Sequence, residues 1–76
     1  MSATTEPMAG TQSVRRAVTM LEAFTDERPS WTVSELAEQT GLNRTTVYRL
    51  LTALESAGYV HRNPIGDSYR LGSGLI

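Results

Sequence analysis

The chain has 76 residues, of which 39% are hydrophobic and 20% charged, and it contains no cysteine. That composition fits one small globular domain and excludes disulfide stapling, a thiolate nucleophile and a cysteine-bound zinc. No run approaches the ~20 apolar residues of a membrane span, and the N-terminus has no basic segment followed by an apolar one. The net charge of −1 argues by itself against a nucleic-acid partner. The distribution argues otherwise. Residues 1–40 hold three arginines against six acids, whereas residues 41–76 hold four arginines against Glu55 and Asp67. Local field steers DNA binding more than total charge does. All seven basic residues are arginine, which suits bidentate contact with phosphate or guanine; genome base composition is an equal explanation.

Residues 1–11 are small, polar and unpatterned and read as a disordered arm. A first helix is expected from Ser13, its cap, to about Thr25. Val14, Ala17, Val18, Leu21 and Phe24 fall on one face. Arg15 and Arg16 would then lie in the first turn, where cations oppose the helix dipole and favour a phosphate partner; two solvated arginines are the alternative. Asp26 to Ser30 ends the helix, since Pro29 cannot continue it. Thr32-Val33-Ser34-Glu35 is a capping box, with Trp31 and Leu36 placed to form a hydrophobic staple. The helix it opens runs to Gln39 or Thr40. Gly41 supplies a left-handed helix end, and Leu42 turns back into the core. Asn43 caps the next helix at once, giving the helix-turn-helix pattern.

That third helix ends at Ala57-Gly58, and the period then changes. Residues 59–62 and 68–71 read as two strands joined by the turn Asn63-Pro64-Ile65-Gly66-Asp67, with Val60, Tyr69 and Leu71 packing on the helices. Gly72-Ser73-Gly74 reads as a flexible link, and residues 73–76 as the start of a connection to a further domain. The fold class is mainly α with a small antiparallel β-hairpin: a winged helix-turn-helix of three helices plus a wing, spanning residues 12–72.

An enzyme reading finds no support. His61 is the only histidine, and no serine or acid stands in a triad context. It reads as a solvated or packing residue, with a phosphate or minor-groove contact as the alternative. No carboxylate pair has metal-ligand spacing and no cofactor is implied. The third helix carries the chemistry instead. Val47, Leu50, Leu51 and Leu54 define its buried stripe at ~100° per residue. Thr45, Arg49, Thr52 and Ser56 lie opposite, flanked by Arg44 and Tyr48. The N-terminal part of such a helix meets base edges in the DNA major groove. Arg49 can take guanine O6 and N7 or a phosphate, and Thr45 and Thr46 a phosphate or a thymine methyl. The first N–H groups, from Asn43 to Thr46, also favour a phosphate. In the wing, Arg62, Asn63 and Arg70 can reach the flanking backbone or minor groove, where contacts position rather than specify. A solvated wing, and a solvated polar face on an ordinary amphipathic helix, are the alternatives.

The ordered set Ser13-Val14-Arg15-Arg16-Ala17-Val18, Ser34-Glu35-Leu36-Ala37, Gly41-Leu42, Thr46-Val47-Tyr48-Arg49-Leu50-Leu51, Gly58-Tyr59-Val60 and Tyr69-Arg70-Leu71-Gly72 resembles the N-terminal DNA-binding domain of IclR-type bacterial transcriptional regulators. The resemblance covers residues 12–76. It departs at Trp31, where the family usually has a smaller aliphatic, and at Asn43-Arg44, in place of a commoner Pro-Lys or Pro-Ser. It implies a sequence-specific regulator, expected to be a repressor, acting in the bacterial cytoplasm at the nucleoid. The implied partner is double-stranded DNA at a palindromic promoter operator, bound by a homodimer or tetramer. A small-molecule effector would bind a separate C-terminal domain, and no membrane partner is implied. Arg16, Thr45, Thr46, Tyr48 and Arg49 are carried into DNA contact by the resemblance. A MarR-like regulator and a winged-helix protein–protein interaction module are the competing readings.

Overall fold

Val47 and Leu51, one helical turn apart, are both fully buried, and the other elements close around them. The computed structural model describes residues 9–72. The element order is α1 (Ala9–Ala23), β1 (Ser30–Thr32), α2 (Val33–Thr40), α3 (Arg44–Ser56), β2 (Val60–Asn63) and β3 (Ser68–Leu71). The three strands form one antiparallel sheet in the order β1-β3-β2. The core is Met20 and Phe24 of α1, Trp31 of β1, Leu36 of α2, Val47 and Leu51 of α3, and Val60 and Tyr69 of the sheet. Helices and sheet therefore share one small core, and no buried residue in it is polar or charged among those described.

Local chemistry sets the helix ends. At the start of α2, the Thr32 hydroxyl accepts from the Glu35 N–H (3.2 Å), and the Glu35 carboxylate accepts from the Thr32 N–H (2.9 Å). The other Glu35 oxygen pairs with Arg28 at 3.2 Å, and the Arg28 guanidinium lies 3.6 Å from the centroid of the Trp31 ring. Gly41 ends α2 in the left-handed conformation (φ 78°), its N–H donating to the Ala37 carbonyl. At the end of α3, the Tyr59 N–H donates to the Leu54 carbonyl and the Gly58 N–H to that of Glu55, closing a Schellman motif.

Four expectations need correction. First, α1 begins at Ala9 rather than Ser13, which is interior, and ends at Ala23 rather than Thr25. Residues 9–11 are thus helical, while the rest of the expected arm lies outside the described residues. Second, the buried face of α1 is turned by less than one residue, under ~100° at helical pitch, from the expected one. Met20 and Phe24 are buried, Ala17 and Leu21 are half-buried, and Val14 and Val18 are 62% and 47% exposed. The Val-rich stripe and the Met20 stripe overlap, and only the shape of the partner surface chooses between them. Third, Ser30–Thr32 is a strand, pairing Trp31 with Tyr69, so the hairpin is two-thirds of a larger sheet. Fourth, Val60 and Tyr69 pack on the helices as expected, but Leu71 is 42% exposed at the sheet margin.

Gly72 belongs to the fold rather than to a link. Its N–H donates to the Tyr59 carbonyl at 2.8 Å, and a Cβ there would stand 2.5 Å from the Gly58 carbonyl oxygen. Ser73 and Gly74 lie outside the described residues.

Two measurements test this packing. Leu51→Ala removes a fully buried side chain and should cost ~2–5 kcal/mol. In so small a domain, that lowers the melting temperature by about 4–8 °C per kcal/mol; a melt unchanged by circular dichroism would contradict the core assignment. Glu35 supplies a pH test. The Thr32 N–H, aided by the Arg28 charge, holds its carboxyl below the ordinary glutamate value. A lowered carboxyl pKa stabilises the fold above the unfolded value, ~4.3, and that contribution is lost as pH falls through the folded value. Wild type should melt above Glu35→Ala at pH 7, and the gap should close below about pH 4. A gap independent of pH would remove the carboxylate charge from the cap.

Candidate nucleic-acid interface

Burial of Val47 and Leu51, with Leu50 and Leu54 half-buried beside them, leaves the opposite side of α3 in solvent. Arg44, Thr45, Tyr48, Arg49 and Thr52 are all exposed there, Tyr48 by 55%. The structure thus brings together the expected reading edge on one surface. Thr52 and the neighbouring cap residue Asn43 are partly committed to the helix. The Asn43 side-chain oxygen accepts from the Thr46 N–H at 2.8 Å, which leaves only its amide NH₂ for a ligand. The Thr52 hydroxyl donates to the Tyr48 carbonyl at 2.8 Å. Thr46 is half-buried, its N–H consumed by the cap. That narrows the expected N–H cluster. Val47 N–H bonds the Asn43 carbonyl, and among the described residues the N–H groups of Arg44 and Thr45 have no intramolecular acceptor.

Arg44 is the first residue of α3, and the first turn contains no acid. A cation at a helix N-terminus opposes the helix dipole by ~0.3–1 kcal/mol. An anion at this helix end offsets that penalty, so the position favours phosphate. The same argument does not extend to Arg15 and Arg16. Because α1 starts at Ala9, both lie in its second turn, beyond the reach of the terminal dipole.

Arg16 has a different setting. It is half-buried and lines a cleft of about 250 Å³ with Gln12, Arg15, Thr19, Thr40 and Leu42. This cleft joins α1 to the turn that leads into α3, and no acid lines it. Gln12 and Thr19 were not expected at the site, and Arg15 was expected only as a phosphate partner in the first helical turn. Their spacing with Arg16, at positions i, i+3, i+4 and i+7, is one helical face and is the signal that could have found them.

Two of the expected wing residues already have partners within the wing. The Arg62 Nε donates to the Asp67 carboxylate at 2.9 Å, which raises the guanidinium pKa still further. The Asn63 side-chain oxygen accepts from the Ile65 N–H at 3.0 Å, so it shapes the turn. Arg70 lines a depression with Phe24, Thr25, Asp26, Pro29 and Leu71, away from any α3 residue. Among the described residues the ion pairs are Arg28–Glu35 and Arg62–Asp67. Arg15, Arg16, Arg44, Arg49 and Arg70 have none.

Comparison with known proteins agrees with this geometry. Residues 13–64 match the IclR helix-turn-helix domain. The chain is 39% identical over 71 residues to the DNA-binding transcriptional repressor YiaJ of Escherichia coli, covering 93% of this chain and 25% of that protein. It is 39% identical over 62 residues to the acetate operon repressor of Salmonella typhimurium, covering 80% of this chain and 23% of the repressor. An IclR-family transcriptional regulator from Brucella abortus superposes with a TM-score of 0.83 at 30% identity, over 84% of this chain and 25% of that one. The chain spans about a quarter of the length of these relatives. No described helix is long and apolar enough to cross a membrane. With its two capped helices, glycine turn and sheet-backed hairpin, the chain belongs to the IclR helix-turn-helix domain family.

Proposed function

We propose that this chain is the DNA-reading head of a transcriptional regulator, with α3 entering the major groove of a promoter operator. The observation that carries this reading is the acid-free edge Arg44-Thr45-Tyr48-Arg49. Both of its arginines lack an intramolecular ion-pair partner among the described residues, and the helix is held in rotation by two fully buried residues. Arg49 supplies a bidentate donor pair to guanine or a phosphate. Arg44 and the N–H groups of Arg44 and Thr45 hold a phosphate at the helix end. Arg15 and Arg16 in the α1 cleft grip the neighbouring backbone, a contact that sets register without reading sequence. No catalytic step belongs to this function.

Two copies would bind half-sites ~34 Å apart on a palindromic operator. The names of two relatives, YiaJ and the acetate operon repressor, favour repression over activation. The quarter-length coverage supports an effector domain carried elsewhere in a longer protein, and the site of action would be the nucleoid in the cytoplasm.

Selection of bound sequences from a random DNA pool, followed by titration of Arg49→Ala, tests the reading. The variant should lose ~1–3 kcal/mol of affinity and relax preference at one base position, with its helical circular dichroism intact. The logarithm of wild-type affinity should fall steeply with the logarithm of salt, ~0.9 per phosphate neutralised. A folded dimer with no measurable DNA affinity would favour a protein-binding module instead.

A further inference from the structure

The tip of the wing is apolar and braced. Ile65 is 84% exposed, more than any other large hydrophobic residue among those described. A lone exposed aliphatic is ordinary on a protein surface, but this one stands on a turn built to hold it. Pro64 restricts the backbone before it. Its own N–H is taken by Asn63 Oδ1 at 3.0 Å. After it, Gly66 and Asp67 both adopt left-handed conformations (φ 89° and 59°), the second uncommon outside glycine. Beneath the turn, Arg62 Nε holds Asp67 Oδ1 at 2.9 Å. Ile65 is also β-branched, so little side-chain freedom is surrendered when it meets a partner.

The hairpin is aimed beside the reading helix. Arg62 pairs with Tyr69 and shares its helix-facing side of the sheet, while His61 and Arg70 face the other way. The Tyr69 hydroxyl, whose pKa burial raises, feels Glu55 and Tyr48 of α3 as well as Arg62 of β2. β2 packs against α3, so the wing runs along the flank of that helix, and the four residues of β2 carry its tip up to ~13 Å further. With α3 in the major groove, a hairpin so placed crosses the phosphate backbone and ends at the adjacent minor groove. The segment 62–67 carries one arginine and one aspartate, paired to each other, and no net charge. Such a tip is poorly made for gripping phosphate.

We propose that Ile65 is an apolar DNA contact that packs on the deoxyribose walls of the minor groove flanking the α3 site, with Arg62–Asp67 as its brace. The inference rests on the major-groove reading of α3. Apolar side chains in that groove act on sugar faces and loosened base steps. Easily opened pyrimidine–purine steps at the flank are therefore favoured, although no side chain reads their edges.

The test uses the 76-residue chain on its selected DNA, with anisotropy titrations across a salt series and hydroxyl-radical footprinting. Ile65→Ser changes an exposed residue and leaves the fold intact. It should weaken binding roughly 5-fold, the effect of withdrawing one partly buried aliphatic side chain. The salt slope should not change, since every phosphate is still neutralised as before. The sugar protection at the flank should disappear while the guanines under α3 stay protected. Ile65→Val should restore most of both. Wild-type affinity and an unchanged footprint for Ile65→Ser would overturn the proposal. So would a change in self-association by sedimentation with flank protection retained, which would place Ile65 between copies. If Arg49→Ala loses binding and Ile65→Ser does not, only this inference falls. If wild type does not bind DNA, both fall.

Discussion

The burial of Val47 and Leu51 fixes the rotation of α3, and every functional statement about this chain depends on that angle. Met20 from α1, Leu36 from α2 and Val60 and Tyr69 from the sheet all join the same cluster. Each fully buried aliphatic is worth ~1.5–3 kcal/mol, a large share of what so small a domain can have. A rotation of two residues, ~200°, would carry Arg49 into the core and desolvate a guanidinium that has no acid partner. Burying an unpaired charge costs far more than the methylenes could return. The apolar stripe and the cationic edge therefore specify the same rotation.

Features closed within a few residues were legible in the sequence. Asn43 caps three residues ahead, Thr32 and Glu35 cap each other, and Gly41 ends its helix at a left-handed residue. None of these needs tertiary context, so the helix-turn-helix and the exposed polar face of its second helix followed from residue types and spacing. What escaped depends on distant partners. Ser30–Thr32 is too short to show alternation, and it is a strand because Trp31 meets Tyr69, far along the chain. The rotation of α1 escaped because two stripes of similar apolarity overlap on it, and the one with Met20 fits the gap beside α2 and α3. The placement of Arg62 and Arg70 followed from side-chain neighbours, Asp67 and the Phe24–Asp26 corner, that no periodicity encodes.

Trp31 shows how such distant contacts link the two halves of the fold. It stands where the resemblance leads one to expect a smaller aliphatic. Its ring is buried against the core and covered by Arg28, which in turn pairs with the Glu35 carboxylate of the α2 cap. The indole Nε1 has no hydrogen-bond partner among the described residues, which works against the gain from burying the ring. The Arg28 stack offsets part of that by ~0.5–1 kcal/mol. The start of α2, and through it the approach to α3, is thereby tied to the edge of the sheet.

The overall acidity of the chain is compatible with a polyanionic partner because its charges are sorted in space. Arg28 and Arg62 are already paired with Glu35 and Asp67. Of the arginines left, Arg15 and Arg16 lie in the cleft beside the turn and Arg44 and Arg49 on α3. Asp26 and Glu27 follow the far end of α1 at Ala23, which is seven residues, ~10 Å along the axis, from Arg16. Screening at physiological salt acts over ~8 Å, so those acids would repel a polyanion at the arginine face only weakly. Glu55, the single acid on α3, is ~9 Å along the axis from Arg49, already past one screening length. A total of −1 then describes the molecule seen from afar, whereas the unpaired charges on the exposed face of α3 near its N-terminus are Arg44 and Arg49.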